Sequence, residues 1–80
     1  RKNFQTMKET IGVTCDDYKA EKYRKRLLEK GFEIVFDSRM TNPKNVHLFK
    51  IECNEEDFAE TKAKLQKVLI QLDIEQKQSN

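Results

Sequence analysis

Residues 31–54 read GFEIVFDSRMTNPKNVHLFKIECN, and this stretch decides the fold. Phe32, Ile34 and Phe36 alternate with Glu33, Val35, Asp37 and Arg39, the period of a half-buried strand. Val46–Cys53 alternates again, with Phe49, Ile51 and Cys53 on the inner parity and Leu48, Lys50 and Glu52 opposite. Between the runs, Thr41-Asn-Pro-Lys-Asn45 is the strongest turn signal in the chain. Two alternating runs joined by a short turn pair as an antiparallel hairpin.

Upstream of the hairpin, Met7, Ile11, Val13 and Cys15 share one parity, while Lys8, Thr10, Gly12 and Thr14 share the other. The spacing predicts a first strand. Residues 17–30 (DYKAEKYRKRLLEK) contain helix formers and neither Pro nor Gly, with Ala20, Tyr23, Leu27 and Leu28 on an apolar face. Thr14 or Asp16 is placed to cap this helix, and Gly31 to end it. Downstream, Asn54 and Asp57 resemble a capping box. Phe58, Leu65, Leu69 and Leu72 follow at helical spacing, predicting a second helix to about residue 73. Ile70, Leu72 and Ile74 also alternate, so a short fourth strand over 70–76 competes with continued helix. Residues 1–6 and 75–80 read as flexible ends.

The expected fold class is α+β, with order β-α-β-β-α. A right-handed crossover makes the first two strands parallel. The third, inserted between them, gives a two-layer split βαβ (ferredoxin-like) sandwich without a clear fourth strand. Both helices then cover one face. The expected core is Ile11, Val13, Tyr23, Leu27, Ile34, Phe36, Phe49, Ile51, Phe58, Leu65 and Leu69. Eighty residues suffice for one small domain, 1–80. Charged residues make up 38 % of the chain and mean hydropathy is −0.90, which excludes a membrane span. Nothing in Arg1–Thr10 resembles a signal peptide, so the reading is a cytoplasmic protein with free thiols.

The composition disfavours an enzyme. His47 is the lone histidine, with no Ser or Cys nucleophile predicted beside it. The acidic pairs Asp16-Asp17 and Glu55-Glu56 sit where a helix dipole favours negative charge. No phosphate-binding Gly-rich loop, metal-ligand spacing or cofactor motif is present. Cys15 and Cys53 fall at opposite ends of neighbouring strands, too far apart for a disulfide.

Binding is the remaining function class, and two surfaces compete for it. Lys19, Lys22, Arg26 and Lys30 follow helical spacing and form a basic stripe. With Arg39 and Lys44 of the hairpin loop, the stripe suits a nucleic-acid backbone. The net charge is only +2, however, and the bland reading of such a stripe is a solvated face partly paired with Glu56 and Glu60. The alternative is a protein-interaction module, an adaptor or inhibitor. It would use the open sheet face around Val35, Leu48 and Lys50, or an edge strand that could also form a homodimer.

Overall fold

The computed structural model describes residues 7–78. Strand β1 (Lys8–Asp16) passes through a 3-10 turn at Asp17–Lys19 into helix α1 (Ala20–Glu29). Strands β2 (Glu33–Arg39) and β3 (Val46–Asn54) form the hairpin. A second 3-10 turn, Glu55–Asp57, leads into helix α2 (Phe58–Gln78). The sheet order is β1-β3-β2, and β3 pairs antiparallel with both neighbours. The class is α+β: a three-stranded open sheet with two helices.

Local chemistry sets the element ends. Gly31 adopts φ 87°, the left-handed conformation that glycine takes without a Cβ clash. Its N–H donates to the Leu28 carbonyl at 3.1 Å, and the Phe32 N–H donates to that of Leu27 at 3.1 Å. This pair of bonds is a Schellman motif, and it satisfies carbonyls that the helix end would leave orphaned. Leu27 and Phe32, the residues it joins, are both buried. At the hairpin, Asn45 takes φ 65° and the Asn42–Pro43 peptide is cis. The Met40 N–H closes the loop on the Val46 carbonyl at 2.8 Å. The expected side-chain caps do not form: neither Asp16 nor Asn54 makes a cap hydrogen bond. Asn54 instead approaches the Asp57 carboxylate at 3.5 Å.

The core consists of Val13, Phe49 and Ile51 from one sheet face, Ala20, Tyr23 and Leu27 from α1, Leu65 and Leu72 from α2, and Phe32. Both helices therefore pack on the same side of the sheet. Ile11, Ile34 and Leu69 are partly buried against this cluster, and Phe58 is half-buried.

Phe36 departs from expectation: it is 43 % exposed. The cause is a β-bulge. Ile34 pairs with Ile51, but Phe36 pairs with Lys50, so Val35 is an extra residue with no partner on β3. Because side chains alternate with a period of two, one extra residue reverses the rest of the strand. Phe36 and Ser38 share the open face with Lys50 and Leu48, while Asp37 and Arg39 fall on the helix-bearing side with Phe49 and His47.

Residues 70–76 are helix, not a fourth strand. Leu72 is fully buried, whereas Ile70 and Ile74 are 60 % and 42 % exposed. Residues 75–78, expected to fray, complete the helix. The expectations for residues 1–6 and 79–80 lie outside the described residues.

Candidate functional site

Three groups of side chains take shape on this frame. The first is the basic stripe of α1. Lys19 Nζ lies 3.5 Å from Asp16. Arg26 donates two hydrogen bonds to Glu75, at 2.7 and 3.1 Å, and Lys22 Nζ lies 3.5 Å from the same carboxylate. The neutralising residue is Glu75, not Glu56 or Glu60, because α2 continues beyond residue 73. These contacts hold the Glu75 carboxyl at about 2, with the Arg26 hydrogen bonds the largest cause. Among the described residues, Lys30 and Lys44 make no ion pair with a carboxylate. Arg39 is spent on Asp17, with Nη2 at 2.9 Å. The six cations expected to bind nucleic acid are thus not brought together as a free set.

The second group was not foreseen. His47 is buried on β3, with Nε2 2.5 Å from Asp37 Oδ1 and Nδ1 3.4 Å from Asp17 Oδ1. Arg24 grips the Asp37 carboxylate through Nε at 2.5 Å and Nη2 at 2.9 Å. Two carboxylates, two guanidinium groups and an imidazole therefore form one chain across the 3-10 turn after β1, helix α1, and strands β2 and β3. Arg24 foremost, then His47, holds the Asp37 carboxyl at about 2. The Asp17 carboxyl is also lowered, chiefly by Arg39. Asp17 thus acts as a link in this chain rather than only as a partner of the helix dipole. The bulge at Val35 brings Asp37 to His47. Its trace in the sequence is the run Ile34-Val35-Phe36, three apolar residues where strict alternation allows two.

A thiol also stands beside the histidine, contrary to expectation: Cys15 is the direct cross-strand partner of His47. This does not make a nucleophile–base pair. Both imidazole nitrogens face carboxylates, and burial, aided by the Asp16 charge, pushes the Cys15 thiol up to about 11. A thiol protonated at neutral pH is a poor nucleophile. Cys15 and Cys53 are both free. Among the described residues, no group of three or more His, Cys, Asp or Glu side chains could hold a metal ion, and no helix is long and apolar enough to cross a membrane.

The third group is the sheet face away from the helices. Val35 and Phe36 are exposed there, Val46 and Leu48 half-exposed. Lys50 Nζ sits 5.3 Å from the centroid of the Phe36 ring, a cation–π contact. Arg39 and Asp37, expected on this face, have left it through the bulge, and Phe36 has joined it. A surface hollow of about 250 Å³ at the sheet's lower end mixes Lys8, Lys30 and Lys64 with Glu33, Glu52 and Asp57. It is smaller than the ~300–1,000 Å³ usual for ligand pockets, whereas an open hollow beside Asp16, Asp17, Tyr18 and Asn45, of about 450 Å³, falls within that range. No protein family, curated protein or solved structure matches the chain.

Proposed function

We propose that this chain is a small non-enzymatic module that binds protein through its β-sheet. The order β1-β3-β2 supports a split βαβ arrangement of ferredoxin-like type that lacks the fourth strand. One observation carries the reading. Four of the six cations suited to phosphate, Lys19, Lys22, Arg26 and Arg39, are occupied by the chain's own carboxylates, while Val35, Phe36 and Leu48 remain uncovered on the sheet. An apolar group rimmed by Lys50, Glu33 and Glu52 has the composition of a protein contact rather than a phosphate track. Among the described residues, each outer strand leaves one backbone edge unpaired. The two free thiols suit a reducing cytoplasm.

Two measurements test this against the nucleic-acid reading. Labelled duplex and single-stranded oligonucleotides, titrated across salt, are expected to show negligible affinity at physiological ionic strength. Affinity capture with wild-type and Leu48→Asp baits is expected to retain a protein partner only on the former. Tight, salt-dependent oligonucleotide binding that the double substitution Lys22→Ala, Arg26→Ala abolishes would reverse the assignment.

A further inference from the structure

The two outer strands of the sheet are not equivalent. β2 is interrupted by the bulge at Val35 and carries Glu33, Asp37 and Arg39, features that discourage strand addition. β1 is the longer edge, nine residues in unbroken register with β3. Its central residues, Thr10-Ile-Gly-Val-Thr14, contain no charge and no proline.

The direction of its backbone groups follows from two bonds that extend the register. The Glu55 N–H donates to the Met7 carbonyl, and the Asp17 N–H to the Asn45 carbonyl, each at 2.8 Å. Antiparallel pairs alternate between hydrogen-bonded and non-hydrogen-bonded. The odd-numbered residues of β1 are therefore bonded to β3. Lys8, Thr10, Gly12, Thr14 and Asp16 turn their N–H and C=O groups to the free side. All five are exposed. Among the described residues, no strand pairs with that side.

We propose that a second copy of this chain occupies the edge, with β1 antiparallel to its counterpart about a two-fold axis at Gly12. This rests on the sheet-mediated reading above and names the occupant of the β1 edge, leaving the open face to a separate partner. Only the register centred on Gly12 overlaps all nine residues. It sets Thr10 against Thr14 of the second copy, and Ile11 against Val13 in a close, non-hydrogen-bonded pair. It also sets Lys8 against Asp16 at both ends, by symmetry. The strand is thus complementary in charge to its own reverse. A two-fold contact requires this, since the same patch serves both subunits. The chain itself gives no reason for glycine at the centre: a Cβ there would meet nothing closer than Leu48 Cδ1, at 3.9 Å. At the axis the two Gly12 backbones face each other, where close approach favours the absence of a side chain. The two three-stranded sheets become one, in the order β2-β3-β1-β1-β3-β2.

Sedimentation of the full chain at low ionic strength, up to sub-millimolar concentration, tests the register. The wild type should show a monomer–dimer equilibrium. Lys8→Asp alone and Asp16→Lys alone each convert both terminal pairs to like charges, and should weaken dimerisation roughly tenfold. Mixed in equal amounts, the two variants should recover it as a heterodimer, because every terminal pair is again opposite in sign. Thr14→Pro removes an outward N–H that β3 does not use, and should leave a folded monomer by circular dichroism. Leu48→Asp, on the open face, should leave dimerisation intact. A wild type monomeric throughout, single variants that dimerise unchanged, or a mixture that fails to recover would each overturn the proposal. If the wild type is monomeric while Leu48→Asp loses a captured partner, the dimer fails and the sheet-face reading stands.

Discussion

At the scale of single residues, Leu27 and Asp37 show what holds the molecule together. Leu27 is fully buried between α1 and the sheet, and its carbonyl accepts the bond that ends the helix. Leu27→Ala should cost about 2–5 kcal/mol, the usual range for a large core truncation, read from urea unfolding. Asp37 is held at about 2, against about 4 for a free carboxyl. A carboxyl depressed in the folded state stabilises it above the unfolded value and loses that contribution as pH falls towards the folded one. Unfolding midpoints should therefore drop between about pH 4 and pH 2, and Asp37→Asn should flatten that fall while lowering stability at neutral pH. Cys15, raised to about 11, should alkylate slowly at pH 8 in the native protein and rapidly once unfolded. Val13, Leu27, Phe49 and Ile51 were legible as core because their spacing repeats the period of their own elements. Asp37 was not legible as a partner of His47, because its side depends on a one-residue register shift that no local propensity announces.

At the scale of elements, β2 behaves as two half-strands with opposite phase. Deleting Val35 would restore strict alternation, drive Phe36 inward and turn Asp37 away from His47 and Arg24. Such a deletion should destabilise the protein more than Val35→Ala, which keeps the register, and thermal unfolding of the two variants separates these effects. The order of three strands and two helices could be read from residues 7–69, where turn, glycine stop and alternation mark them, but the 3-10 turns at Asp17–Lys19 and Glu55–Asp57 could not. Nor could the length of α2. Residues 75–78 are polar and offer no core-facing periodicity, and the contacts of Glu75 with Arg26 and Lys22 come from a helix far away in sequence. Glu75→Gln should leave the fold intact, release Lys22 and leave Arg26 only its longer contact with Glu29, at 3.8 Å. The variant should then bind oligonucleotides more strongly than the wild type at low salt, an increase that anisotropy titration would detect and that salt would erase.

At the scale of the whole molecule, net charge is a poor guide to what the surface offers. Lys22 and Arg26 of the basic helix are balanced by Glu75, and Arg24 by Asp37, carboxylates that folding brings to them. The open sheet face is more apolar than alternation suggested, because the bulge exchanges Asp37 and Arg39 for Phe36. A Phe36→Asp chain should stay folded, keep the core packing reported by Tyr23 fluorescence, and lose any partner that docks on the sheet. The strand order also bears on synthesis. Of the three described strands β1 is the first to leave the ribosome, yet its partner among the described residues is β3, the last of the three to be made. Until Val46–Asn54 emerges, the Thr10–Thr14 segment has both of its edges unsatisfied. During that interval either side of β1 can accept a strand, and completion of β3 closes one of the two.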